Sequence, residues 1–285
     1  MTEKIIKIPK NLNNDSESYY FLSELQNVII DSCQNRIILD FCNCNFSHAI
    51  LTSFIGALLH IGNLFDKTIV YKTSKGSKLS TYFRRSGLYN YVTEDTTDYT
   101  NSYAIPFCKI NMDDDNIIDY IGNILDLAPI KLTEQCHELL FKNIYEVFNN
   151  ASDHSRSCQG VYACGHWMPT KKQLVFSVYD TGIGIPSLVK EEINENMSSH
   201  DAINWALQRG NSTKQLIHGI PRGLGLSDLY DFIRLNDGAL NIFTNDIYFE
   251  YKKGNTSYEL LSFPIIGTFI GITIKADYNH IYTTR

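Results

Sequence analysis

Two glycine pairs, each set at the end of an ordered segment, constrain this chain more than any other feature. In Leu174-Val-Phe-Ser-Val-Tyr-Asp180-Thr-Gly182-Ile-Gly184, an apolar run closes on an acid and then turns through two glycines. In Gly219-Ile-Pro-Arg222-Gly223-Leu224-Gly225-Leu226, a second pair opens a helical pattern. Glycine lets the backbone turn tightly and approach a ligand closely. A third stretch, Glu146-Val-Phe-Asn-Asn150-Ala-Ser-Asp-His154, precedes both and sets acid and amide groups on a long helical pattern. Each is weak by itself, and their order is the stronger signal.

Around these stretches the apolar spacing divides the chain in two. Before residue 128, strand-like runs (3–8, 36–42, 68–71 and 103–107) alternate with helical patterns (17–33, 47–61, 78–91 and 116–127). The run Arg36-Ile-Ile-Leu-Asp-Phe-Cys42 suits a buried parallel strand, and Pro106 weakens the strand at 103–107. Such alternation predicts an α/β domain with a mostly parallel sheet. Ala128-Pro129 is the expected boundary, giving domains 1–128 and 129–285. The second half reads as a long helix over 132–150, strands at 160–167 and 173–179, helices over 186–193, 200–208 and 225–235, and a strand-rich end over 239–276. The stretch 209–222 is rich in Gly, Asn, Ser and Pro and reads as a loop. The first half carries no clustered acid, histidine and nucleophile. It is expected to fold separately as a regulatory or docking module, so that residues 129–285 bind their ligand unaided.

Composition excludes some classes. With 285 residues, 44% of them hydrophobic, the chain has material for two cores. A net charge of −6 and no Lys/Arg run longer than two leave no electrostatic footprint for nucleic acid. Seven cysteines, an odd number with no C-x-x-C pair, fit a reduced, cytoplasmic setting. No apolar run is long enough to span a bilayer, and the opening residues lack a signal-like apolar segment.

The chemistry of the three stretches can be read residue by residue. Glu146 and Asn150 stand four apart and share a helix face, with His154 a turn further on. A carboxylate there can deprotonate a water, and an amide oxygen suits Mg²⁺. The plain alternative is a solvated helix face. Asp180, at the end of an apolar strand, needs a partner, and an adenine amino group is a good one. The alternative is a β-to-helix turn with a capping Asp. The turn lacks the third glycine of a dinucleotide fingerprint. Gly223-Leu224-Gly225-Leu226 opens a helix whose free N–H groups form an anion site. Arg209, Ser212, Thr213, Lys214 and Arg222 are suited to a lid over 186–222 that closes on a triphosphate; a plain loop is the alternative. His154, Cys158, Cys164 and His166 cluster in sequence, but their spacing fits no zinc pattern.

Taken together the segments resemble the GHKL ATPases, which include gyrase and the histidine kinases, over roughly residues 130–276. The N-box E-x-x-x-N-A-x-x-H is matched by Glu146, Asn150, Ala151 and His154. The D-x-G-x-G box is matched by Asp180, Gly182 and Gly184, and the G-x-G-L box by Gly223, Gly225 and Leu226. Gly267-Thr268 resembles the late G-T strand of that family. The resemblance implies an α/β sandwich with helices on one face of a mixed sheet, ATP and Mg²⁺ as ligands, Glu146 as general base, and Asn150 as metal ligand. It also implies Asp180 as adenine anchor with Thr268 nearby, and Gly223 and Gly225 as phosphate cradle. A self-phosphorylating histidine kinase is disfavoured. His137, the one His before a Glu, lies nine residues ahead of Glu146, on the opposite helix face and about 13 Å away along the axis.

Residues 36–90 resemble, more weakly, the STAS modules that partner such kinases. The phosphoserine position of that family falls near Ser47, without its usual Ser-Gly context. The functional expectation is an ATPase whose nucleotide state controls a protein partner. A serine/threonine kinase of the anti-sigma type and a non-hydrolysing nucleotide sensor in stress or phage-defence signalling are the alternatives. A homodimer is left open.

Overall fold

The computed structural model describes residues 3–95, 97, 103–110, 114–153, 160–211, 225–277 and 279–284. The chain is mixed α/β, built on two principal sheets. The first is parallel and three-stranded, in the order β1 (Glu3–Lys7), β3 (Arg36–Asp40), β5 (Thr68–Lys72). A two-residue pair, β2 (Asn11–Leu12) and β4 (Phe46–Ser47), lies beside it. Helices α1 (Ser16–Asp31), α2 (Thr52–Leu64), α3 (Lys78–Arg85) and α4 (Leu88–Thr93) complete this half. One helix was expected over 78–91. It is broken because Gly87 takes a left-handed φ of 76°, and a Cβ there would meet Pro106 Cβ at 3.1 Å.

The second sheet is five-stranded, in the order β6 (Ala104–Ile110), β7 (Val161–Met168), β8 (Gln173–Asp180), β10 (Asn255–Lys275), β9 (Ala239–Lys252). Every pairing in it is antiparallel, where the resemblance implied a mixed sheet. The β9–β10 hairpin turns at Lys253-Gly254, both at positive φ, the geometry whose twist matches the flanking strands. One face is aliphatic. Val161, Ala163, Leu174, Phe176, Val178, Ile242 and Ile272 pack there under α5 (Asp114–Asp126), α6 (Glu134–Asp153), α8 (Ser199–Leu207) and α9 (Gly225–Leu235). A short helix, α7 (Ile185–Glu192), follows β8.

The opposite face is aromatic, and the first half covers it. Tyr162, Tyr179, Phe243, Tyr248 and Phe269 share one buried cluster with Tyr19 and Leu22 of α1 and Phe54 and Leu58 of α2. The rings of Tyr19 and Tyr248 stack at 4.4 Å, and Phe54 meets Tyr179 at 4.8 Å. The two sheets are therefore joined through a common core. The expected division at Ala128-Pro129 does not follow them. Strand β6 lies before it yet pairs with β7, and α5 packs beside α6. The sheets divide the chain ahead of β6, and the helices lie on both faces of the second sheet rather than one. Pro106 sits at a register shift between Ile105 and Cys108 on this edge strand, where the missing N–H is tolerated.

Candidate functional site

Asp180 is the last residue of β8 and continues the row of Leu174, Phe176 and Val178, so it lies on the aliphatic face. It is 5% exposed. The backbone N–H of Gly182 donates to its Oδ1 at 2.9 Å. Burial pushes the carboxyl up to about 7, and the N–H bonds from Gly182 and Thr268 work against that rise. Among the described residues no Lys, Arg or His pairs with it. Asp180 is thus buried and closes a turn on Gly182, but it does not cap α7, whose first position is capped by Gly184 without a side-chain bond.

Thr268 stands opposite Asp180 in the β8–β10 register. Its hydroxyl lies 3.1 Å from that of Thr244, which donates to the Gly267 carbonyl at 2.9 Å. Gly267 has a φ of 81°, and a Cβ on it would fall 1.9 Å from the Asp180 carbonyl oxygen. Only glycine fits there. Gly184, at a φ of 85°, caps α7 and lies against the Asn245 side chain. Asn245 Nδ2 donates to the Ile183 carbonyl at 2.9 Å, and the Ser187 N–H donates to Asn245 Oδ1 at 3.1 Å. The Ile185 N–H donates to Thr244 Oγ1 at 3.1 Å. The glycine turn is therefore fastened to β9, and Asp180, Gly182, Gly184 and Thr268 form one continuous unit.

Glu146 and Asn150 lie on α6, which packs on β8 over the same face. Both are half-buried. Asn143, one turn before Glu146, is 1% exposed, and its Nδ2 has no hydrogen-bond partner. Helical spacing puts Asn143, Glu146 and Asn150 on one stripe. The exposed His137 lies off it, as its spacing predicted. Gly225 and Leu226 begin α9, which packs against α6, so this helix opens where its glycines predicted. Arg209 faces Asp228 of α9 at 3.7 Å.

His154, Cys158, Ser212, Thr213, Lys214, Arg222, Gly223 and Leu224 lie outside the described residues. The expected lid over 186–222 begins with the ordered α7 and α8, whose Val189, Ala202 and Ile203 are buried; its residues 212–222 lie outside the described set. Cys164 donates to the Ile105 carbonyl at 3.8 Å, and burial pushes its thiol up to about 12. Ser47 is buried, and its Oγ has no partner. Among the described residues, no group of three or more His, Cys, Asp or Glu converges.

Sequence reasoning missed Asn143, Thr244 and Asn245. Asn143 was legible as the residue one turn before Glu146. Thr244 and Asn245 carried no local signal, since their role comes from strand pairing. Also unforeseen is a surface pocket of about 510 Å³, where Trp205, Tyr230 and Tyr258 meet Asn204 and Gln208.

Comparison with known proteins found no protein-family model and no curated protein that matches the chain.

Proposed function

We propose that this chain binds ATP with Mg²⁺ at the Asp180 end of the five-stranded sheet and hydrolyses it to control a protein partner, as a GHKL-type ATPase. The observation that carries this reading is the Asp180 carboxylate: buried, with no Lys, Arg or His partner among the described residues, and beside a glycine turn in which Gly267 admits no side chain. A buried acceptor of this kind favours a neutral hydrogen-bond donor such as the adenine amino group. The raised carboxyl agrees, because that donor would supply the stabilisation that burial removes.

The residues present fit the ligands. Asn150 and Glu146 supply oxygen donors on one face of α6, and Mg²⁺ is commonly held by one or two protein oxygens together with phosphates. Bound there, the cation would neutralise phosphate charge. Asn150 would orient it, Glu146 would take the proton from the attacking water, and the N–H groups opening α9 would face phosphate. The helix-on-sheet arrangement of α6 over β8 and α9 over β9 supports the α/β sandwich that the motif order implies. In the first half, the resemblance to STAS modules rests on one strand–turn–helix unit, and the burial of Ser47 argues against that serine as a phosphate acceptor.

The test is phosphate release from Mg-ATP, measured alone and with candidate partner proteins. Glu146→Ala should bind ATP and turn it over about 10² to 10⁴ times more slowly. Asn150→Ala should lose the Mg²⁺-dependent part of binding. ATP binding without release would favour the sensor, transfer to a partner's serine would favour the kinase, and no ATP binding would overturn the reading.

A further inference from the structure

On the aromatic face, directly behind the site, one side chain from the first half joins the two strands that carry it. Gln26 of α1 is fully buried. The Ile266 N–H donates to Gln26 Oε1 at 2.7 Å, and Gln26 Nε2 donates to the Tyr179 hydroxyl at 3.1 Å. The Tyr179 hydroxyl in turn donates to the Ile266 carbonyl at 2.6 Å. The three bonds close a ring. Tyr179 directly precedes Asp180 on β8, and Ile266 directly precedes Gly267 on β10.

The ring sits where the sheet is irregular. The β9–β10 register shifts between Ile265 and Thr268, and Gly267 is left-handed there. At such a bulge a residue drops out of the ladder and its backbone groups need other partners. Gln26 and Tyr179 satisfy both backbone groups of Ile266. A side-chain amide is well suited to this, since it donates and accepts at once.

We propose that Gln26 is a positioning residue for the Asp180 site: by fixing the Ile266–Gly267 bulge from behind, it sets the approach of Gly267 and Thr268 to Asp180. Helix α1 is then the element through which the first half of the chain governs ligand affinity at the second. The effect on affinity rests on the ATP reading above; the effect on Asp180 does not.

The experiment uses the full chain, with two readouts: the titration midpoint of the Asp180 carboxyl, followed by NMR of ¹³C-labelled aspartate, and the dissociation constant of Mg-ATP. Gln26→Leu keeps bulk and removes both amide bonds. It should let water reach the bulge, lower the Asp180 midpoint by about one unit or more, and weaken ATP about tenfold. Gln26→Glu retains the acceptor for Ile266 N–H and should shift both by less; it also serves should Gln26→Leu fail to fold. Ser53→Ala is the control. Ser53 joins α2 to Ser177 of β8 at 2.7 Å across the same face, away from the bulge, so its loss should lower thermal stability and leave the midpoint in place.

An unmoved Asp180 midpoint in the Gln26 variants, or an equal shift in Ser53→Ala, would overturn the proposal. A wild type that binds no ATP, with the midpoint still moving in Gln26→Leu, would uphold the positioning role and remove the ATP reading.

Discussion

The two faces of the five-stranded sheet are both covered by helices and are built differently. Under α6 and α9 the contacts are mainly aliphatic, and the row of Leu174, Phe176 and Val178 ends in a buried acid. Under α1 and α2 the contacts are rings, packed at 4.4 to 5.4 Å for Tyr19–Tyr248, Phe54–Tyr179 and Phe54–Phe243, and tied down by Gln26 and Ser53. The first face stops short at its edge and leaves a polar group needing a partner. The second is covered by α1 and α2 and joins the halves of the chain in one core. A site can be placed at the end of a sheet when the face behind it is rigid, and here the rigidity comes from sequence more than a hundred residues away.

The largest effect should come from removing the aromatic cover. A chain of residues 129–285 lacks α1, α2 and the edge strand β6, and exposes Tyr162, Tyr179, Phe243, Tyr248 and Phe269. At about 2 kcal/mol per ring, this loss is roughly 10 kcal/mol, comparable with the whole stability of a domain. The truncated chain should therefore be aggregated or unfolded by circular dichroism and gel filtration. A soluble, cooperatively folding 129–285 would break the comparison by showing that the halves are separable.

Next is a point change on each face. Phe54→Ala, at the centre of the aromatic cluster, should cost about 3–5 kcal/mol in denaturant unfolding, and Leu140→Ala on α6 about 2–5 kcal/mol. Both should unfold the chain in a single transition if the faces share one cooperative structure. Two separated transitions in Phe54→Ala would show that the halves unfold independently.

A smaller effect, confined to the aliphatic face, is the pH dependence at Asp180. Its carboxyl is raised in the folded chain to about 7, so its contribution to stability is fully present below the ordinary aspartate range. It is lost as pH rises through about 7. Without ligand, the stability of wild type relative to Asp180→Asn should therefore fall from pH 4 to pH 8, read as the difference between their melting temperatures. A difference that stays constant with pH would mean that Asp180 is not desolvated. Smallest is the exposed Lys172–Asp277 pair at 2.9 Å, which solvent screens, so that Lys172→Ala should change the unfolding midpoint less than any of the variants above.

Much of this was legible from residue order. Helices α1, α6 and α9 follow from apolar spacing, and β8 from its run ending in Asp180. The parallel sheet of the first half follows from the continuous Ile-Ile-Leu run of β3. Which sheet a strand joins was not legible. Nothing in Ala-Ile-Pro-Phe says that β6 pairs with β7 across more than fifty residues, and a proline at 129 marks a helix–helix turn as readily as a domain border. Gly87 looked like any residue in a helical pattern, because only the packing against Pro106 and Phe107 requires its left-handed turn. Gln26 looked like a polar residue on an amphipathic helix, and its burial is set by strands that are distant in sequence.

The most direct test of the central claim is a binding cycle with two nucleotides and two proteins. Inosine triphosphate carries a carbonyl oxygen where ATP carries the amino group that Asp180 would receive. Wild type should bind Mg-ATP more tightly than Mg-ITP by roughly tenfold or more, a preference of about 1.4 kcal/mol. In Asp180→Asn, ATP should weaken by about 2 kcal/mol or more, and the preference should collapse toward unity. The same ATP/ITP ratio in both proteins, or undiminished ATP binding in Asp180→Asn, would contradict the assignment of the site.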